Sequence, residues 1–470
     1  MRTPFLGQAY TSRSKNLADQ RLINLYPEVV ESKSGKDVGA FYMAPGLDLL
    51  LTLGIGPIRQ VYTFSNGSQL YVVSGFQVFS VTPSLSATLI GTIATGTGLV
   101  SFIDNGVQVA LFDGLNGYLI SAGVLSMISL PASNPSSATI QDGFGLVNAA
   151  GTNQFYQSNL DDLSTWNALN FSSADGSPDN IVALWDIHRE VWVFKQSNIE
   201  IWVDAGLSGF SFQRLDGVFI QHGLAASASV AKVDESLIWL STNREGQGIV
   251  VKSNGYAPVR VSTSAIEREI QGYATMADAI GYTYQQEGHN FYVLNFPTGN
   301  ATWVFDVRTG AWHQRAAFAN GAFSRHWAAC HTLFNGLSVV GDYRNGNIYS
   351  FNLDTLTDNG TQRKWLRSWR ALPKPSPDPV RFDSLSIDME TGAKQVPSGT
   401  NPQLVLRHSD DGGHTWSSER FAAAGPIGQT ALRVKFNRLG STRYATGLDR
   451  IFELSSTDQF KVALIGAELE

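Results

Sequence analysis

The chain has little charge and almost no cysteine. Charged residues make up 16% of its 470 positions, against about 25% in an average globular chain. The net charge is −6 and no long Lys/Arg run is present, so no patch is available to hold nucleic acid tightly through its phosphates. The single cysteine, Cys330, excludes an internal disulfide framework and a Cys-based zinc site; it reads as a small buried apolar group. No stretch approaches the ~20 apolar residues of a membrane span, and the first eight residues turn polar before a signal-peptide core could form. The expectation is a soluble protein, with no membrane contact, folded in a reducing cytoplasm. The histidines at 188, 222, 289, 313, 326, 331, 408 and 414 form no His-x-His or His-Glu-x-x-His pair. His326 and His331 lie near Cys330, but residues five apart on a strand face opposite ways, so no metal site is expected. Gly-x-Ser-x-Gly and phosphate-binding loops are absent as well, and no cofactor is expected.

What the chain does have is glycine, tryptophan and short apolar runs: 45 Gly, 11 Trp and 43% hydrophobic residues. That composition suits many short strands and turns, not disorder. The plan is most open in 179–261. There IVALW (181–185), VWVF (191–194), IEIWV (199–203) and FSFQRL (210–215) are cut by polar turns, and 226–232, 236–241, 248–252 and 257–261 repeat the grammar. Four antiparallel strands per unit, repeated, predict propeller blades. Units begin near 58, 99, 138, 181, 226, 274 and 323, which counts seven blades, with six left open. A hairpin-like pair at 39–53 could close the ring by pairing with a late strand. The turn in WVFDVRTGAWHQR (303–315) joins two outer strands of a blade, whose Trp residues read as inter-blade packing. One helix is expected at 262–270, with Ser264 and Glu267 as a capping box. Four prolines in 371–379 mark a linker, and period-two runs beyond it predict a β-sandwich. The expected division is an extended N-terminal arm (1–37), a β-propeller (38–370), a Pro-rich linker (371–380) and a sandwich (381–470), all-β throughout.

Two motifs invite a chemical reading. Ser409, Asp411, Gly413, Thr415 and Trp416 match the Asp box of sialidases and other glycosidase propellers. Physically it is a hairpin device in which Ser and Asp bond the turn backbone, Gly takes a conformation other residues resist, and Trp packs underneath. A looser version spans 158–166. Sialidase chemistry would further need three carboxylate-binding arginines and a Tyr/Glu nucleophile pair, which spacing does not supply. No catalytic residue is therefore assigned. Arg363, Lys364, Arg367 and Arg370, set around Trp365 and Trp369, read as a solvated face or as a partner contact.

The phrases AYTSRSKNLADQRLINLYPE (9–28), FYMAPGL (41–47), STWNALNFSSADGSPDNIVAL (164–184), IEIWVDAG (199–206) and VSTSAIEREI (261–270) resemble packaged-DNA stabilisation proteins, the tail hub or nozzle components of short-tailed bacteriophages. The resemblance runs from about 9 to 270, and the later part matches in architecture only. It implies a structural virion protein, not an enzyme, in a tail built within the host cytoplasm. Copies would form a ring, expected as a hexamer, below the portal and head-tail adaptor. That ring would extend the DNA channel and help retain packaged DNA until ejection. Further implied partners are the tail needle and the tailspike or tail fibre, with DNA passing through without tight binding. In this picture Arg13, Asn16, Arg21, Asn24, Tyr26 and Pro27 of the arm are candidate contacts to neighbouring subunits. Two alternatives stand beside it: a sialidase-like glycan-active propeller, suggested by the Asp box, and a propeller used as a soluble binding scaffold.

Overall fold

A computed structural model describes the chain apart from residues 16, 33–36, 243–247, 373–378, 394, 397–399 and 443–449. It divides into two compact units. One comprises Leu49–Asn300 and Trp327–Phe351; the other comprises Met1–Asp48, Ala301–His326 and Asn352–Glu470.

The first unit is a β-propeller. Five successive four-stranded antiparallel meanders occupy 58–92, 101–128, 138–173, 181–220 and 231–260. A sixth contributes its inner strands Ile280–Gln286 and His289–Phe296, and a seventh begins with Ala328–Phe334 and Leu337–Asp342. Tight turns set each register. At Asp142-Gly143 both residues take positive φ (49° and 83°), the geometry that matches strand twist in a two-residue hairpin and that Asp-Gly adopts readily.

Polar or ring contacts run between innermost strands or their turns all the way round. Tyr62 donates to Asp104, Ala138 N–H to Ser101 Oγ at 3.1 Å, and Thr139 Oγ1 to Asp186 at 2.6 Å. Lys232 pairs with Asp186 at 2.7 Å, Thr283 Oγ1 donates to Lys232 O at 2.7 Å, and Tyr282 of the sixth inner strand stacks on His331 of the seventh, ring centroids 6.1 Å apart. Thr63 Oγ1 donates to Leu333 O at 2.9 Å, which returns the circuit from the seventh inner strand to the first. Seven inner strands closed in this way settle the blade number at seven. The expected closing strand is also present: Thr52 Oγ1 bonds Asn347 at 2.7 Å and Leu53 N–H bonds Gly346 O at 2.6 Å. Apolar clusters fill the gaps between blades, with Trp192, Phe194 and Trp239 between the fourth and fifth and Ile58, Cys330 and Phe334 between the seventh and first.

The helix runs from Ser264 to Gln271, and its cap is Thr263, whose side chain accepts from Ile266 N–H. The expected cap, Ser264, is already helical. Glu267, four residues on from Thr263 and so past the capping-box position, pairs with Arg260 at 2.6 Å and accepts from Ser262.

The second unit is a β-sandwich, and its limits differ from those expected. In one sheet Trp365–Arg370 pairs with Ile451–Ser456, which pairs with Gln403–Ser409, and that strand pairs in turn with Arg420–Ala423. On the other side of Trp365–Arg370 lies Leu22–Ile23, then Ala311–Ala319 in parallel, then Ala301–Asp306. The other sheet is Leu25–Val29, Gly39–Met43, Ala463–Leu469, Arg381–Met389 and Val434–Ser441. Between them lies a core of Phe5, Leu22, Leu25, Phe41, Trp365, Trp369, Leu385, Phe436, Phe452 and Leu454. Residues 1–29 of the expected extended arm are part of the sandwich: they supply a strand to each sheet and apolar side chains to the core. Strand Trp365–Arg370, expected to end the propeller, is central in the sandwich. The strands flanking the 306–310 turn, Ala301–Asp306 and Ala311–Ala319, are the third and fourth of the meander that begins with Ile280–Gln286 and His289–Phe296, as expected of outer blade strands. Most of the Pro-rich linker lies outside the described residues.

Candidate functional site

The Asp box forms the hairpin between Gln403–Ser409 and Arg420–Ala423 of the sandwich. Ser409 Oγ donates to Asp411 Oδ1 at 2.7 Å and accepts from Gly413 N–H at 2.8 Å. Asp411 Oδ1 accepts from the backbone N–H groups of His414 and Thr415 at 3.0 and 2.8 Å, and Oδ2 accepts from Thr415 Oγ1 at 2.6 Å. These bonds, the Thr415 hydroxyl first, hold the Asp411 carboxyl well below the usual carboxylate range. A carboxylate so fixed cannot serve as an acid near neutral pH. Trp416 lies under the Arg407 guanidinium at 4.8 Å. Next in the turn, Asp410 takes both ends of buried Arg450, at 2.6 and 2.8 Å. The looser copy in the third blade behaves alike. Asp162, held at about 2 by the Ser164 hydroxyl and neighbouring donors, accepts from Ser164 N–H at 2.9 Å, and Trp166 Nε1 donates to Leu163 O at 2.9 Å. Both boxes do the work of a turn.

The basic cluster is not a solvated face, because two of its four members are buried. Arg363 donates to Ala44 O at 2.9 Å and lies 3.3 Å from Asp358. Arg367 donates to Phe5 O at 2.9 Å and stands over the Phe41 ring at 5.1 Å; burial pulls its pKa down to about 9. The period of two puts Arg367 on the same buried face as Trp365 and Trp369, where it ties down the N-terminal segment. Lys364 lies 5.3 Å from the Phe318 ring, and Arg370 donates to Leu17 O at 2.7 Å.

The arm residues are mostly internal too. Asn24, buried with φ 57°, bends the chain from one sheet to the other; its side chain donates to Ala316 O and Lys364 O, each at 2.8 Å. Asn tolerates this left-handed conformation better than most residues. Tyr26 is buried beside Tyr42 and His313. Arg21 pairs with buried Glu453 at 3.2 Å, and Arg407 takes the other side of that carboxylate at 2.6 Å. Pro27 sits in the edge strand Leu25–Val29, where a missing N–H is tolerated. Arg13 is exposed, and Asn16 lies outside the described residues.

Two polar clamps escaped the sequence reading. Lys195, fully buried, donates to Ala174 O and Ser177 O, each at 2.6 Å, with Glu200 and Asp179 both at 3.4 Å. It ties the 174–180 crossover between the third and fourth blades. Burial raises the Asp179 pKa, but bonds from Ser177 and Ser197 and the Lys195 charge outweigh that and hold it at about 2. The signal was present as a cation ending the apolar strand Glu190–Lys195. Arg59 likewise donates to Gly75 O, Thr95 O, Thr97 O and Gly98 O at 2.6 to 3.0 Å, pinning the crossover into the second blade. Among the described residues no cluster of three or more His, Cys, Asp or Glu could hold a metal, and no helix is long and apolar enough to cross a membrane. His331, buried against Tyr282 and Tyr284, is depressed by that burial to about 4.

The architecture is thus a seven-bladed propeller and a β-sandwich in one chain, whose polar motifs fasten turns, crossovers and a threaded N-terminus. The chain belongs to a family of phage structural proteins, described as Bacteriophage P22 Gp10: the β-propeller model of that family matches residues 1–356 and the β-sandwich model matches 365–470. No curated protein matches it. Among solved structures it is similar to virginiamycin B lyase from Staphylococcus aureus, at TM-score 0.45 and 10% identity over 65% of this chain and 99% of that one. The WD40 propeller domain of Doa1 follows at 0.41 and 12%, over 65% and 97%. The extracellular domain of the putative one component system BT4673 from B. thetaiotaomicron gives 0.46 and 9%, over 86% and 58%. No property of these three proteins is carried over to the chain.

Proposed function

We propose that the protein is a non-enzymatic component of a phage tail: copies form a ring, six in number, below the portal and head-tail adaptor, extending the DNA channel and helping retain packaged DNA. The observation that carries this reading is family membership across both units. The tail needle and the tailspike or fibre are its further partners in the virion. A net charge of −6 suits a channel wall past which DNA moves without being gripped. The glycan-active alternative draws no support from the Asp box, since Ser409 and Asp411 are occupied by their own turn.

Negative-stain imaging of the purified chain mixed with portal and adaptor tests the proposal. Rings added beneath the adaptor are expected. A chain that stays unassembled with that complex present would overturn it, and turnover of a sialoside would revive the alternative.

A further inference from the structure

Asparagine followed by glycine occurs eight times, at 66, 105, 116, 254, 320, 335, 345 and 359. The dipeptide suits tight turns, and it carries a covalent chemistry of its own. The backbone nitrogen of the following residue attacks the carbonyl carbon of the Asn side chain, and glycine hinders that approach least because it has no Cβ. The Gly N–H gives up its proton, the new N–C bond closes a five-membered succinimide, and the side-chain nitrogen leaves as ammonia. Water then opens the ring at either of its carbonyls, which leaves Asp or isoaspartate. Water is the only co-reactant. The ring closes only where the Asn side chain can swing to the side of the next nitrogen and where that nitrogen is free.

The fold restrains all of these sites but one. The attacking nitrogen is engaged where Gly67 N–H donates to Phe64 O at 2.7 Å, Gly106 N–H to Asp104 at 2.9 Å and Gly360 N–H to Thr357 Oγ1 at 3.3 Å. Gly117 and Gly346 are closed in: an added Cβ would fall 2.5 Å from the Leu130 side chain in the first and 2.1 Å from Leu53 O in the second. Asn320 and Asn335 take left-handed φ, 51° and 49°, a conformation that turns Cβ away from the next nitrogen. Asn254 carries none of these restraints. It is exposed, and its φ lies outside the left-handed region. Among the described residues neither its side chain nor Gly255 N–H has a hydrogen-bond partner, and nothing lies within 4 Å of where a Cβ on Gly255 would sit. The turn is closed by one bond, from Ala257 N–H to Asn254 O at 3.2 Å. We propose that Asn254 is a site of spontaneous succinimide formation and deamidation in the folded protein. The product places a new carboxylate in the loop between Gly248–Lys252 and Val259–Arg260, the outer strands of the fifth blade.

The test is ageing of the purified full chain at neutral pH, followed by trypsin digestion and peptide mapping by mass, with an unaged sample digested alongside to subtract conversion during digestion. Trypsin isolates the three sites whose glycine is neither bonded nor crowded: Asn254 in SNGYAPVR (253–260), Asn320 in AAFANGAFSR (316–325) and Asn335 in HWAACHTLFNGLSVVGDYR (326–344). Conversion in SNGYAPVR is expected to run about tenfold faster than in the other two, the ratio set by a barrier difference of about 1.4 kcal/mol. It should yield two products of equal mass that elute apart, Asp and isoaspartate, because the ring opens both ways. In concentrated urea, where the three share an unfolded backbone, the rates should converge. Equal rates in the folded chain, a gap that persists in urea, or Asp formed without isoaspartate would overturn the inference. The readout is made on the isolated chain and does not depend on ring assembly, so either reading can fail alone.

Discussion

Replacing Lys195 by Met keeps the length of the side chain and removes its charge, leaving Glu200 wholly buried and Asp179 nearly so without their cation. At 3.4 Å and an effective dielectric near 20, the gross attraction to each carboxylate is about 5 kcal/mol. Most of this is offset by the cost of burying the charges, so the net loss on removing one partner of such a cluster is about 3–5 kcal/mol. Two carbonyls, Ala174 and Ser177, lose their donor in the same step. At roughly 2 °C per kcal/mol for a body of this size, the propeller transition should fall by about 6–10 °C. Thermal and urea unfolding followed by tryptophan fluorescence would read it, with Trp192, Trp202 and Trp239 buried in the fourth and fifth blades. The control is Glu200→Gln. In that background Lys195→Met should cost less, by about 1–3 kcal/mol, because the two groups are coupled. A single-substitution loss below about 1 kcal/mol, or equal losses in both backgrounds, would refute the clamp.

Arg59→Lys should destabilise the propeller by about 2–3 kcal/mol, because an ammonium cannot reproduce a planar fork spread over four carbonyls; urea midpoints at constant m would show it. Deleting residues 1–29 should remove the sandwich fold, not merely a contact arm. Phe5, Leu22 and Leu25 alone forfeit about 1.5–3 kcal/mol each, a loss visible as collapsed near-ultraviolet dichroism. Asp411→Asn should lower the melting temperature of the sandwich at neutral pH. Because the folded pKa of Asp411 is depressed, its stabilisation is present above the unfolded value near 4 and is lost as pH falls below it. The variant's acid unfolding curve should therefore be flatter than the wild type's over that range.

The local part of the fold was legible in the residues. Turns such as Asp142-Gly143 and the Asp box at 409–416 are decided by backbone preference and by side chains a few positions away, and each appears where the sequence places it. The recurring strands and turns counted seven blades but left six open, and the circuit of seven inner strands decided between them. The helix cap lies at Thr263, one residue before the expected Ser264, which puts Glu267 four residues on, past the capping-box position, where it pairs with Arg260.

What the sequence alone determined was an all-β chain of repeated hairpins followed by alternating strands, since strand periodicity and turn chemistry are properties of neighbouring residues. Tertiary structure decided where the long-range partners lie. Leu22–Ile23 is placed between Trp365–Arg370 and Ala311–Ala319 by burial of Leu22 and Trp365 in one core, and no local pattern encodes a pairing across more than 340 positions. For the same reason Arg363 and Arg367, which read as surface cations, are internal ties. A charge is buried when carbonyls and rings from distant segments converge on it, and only the folded chain brings Ala44, Phe5 and Phe41 to those guanidinium groups.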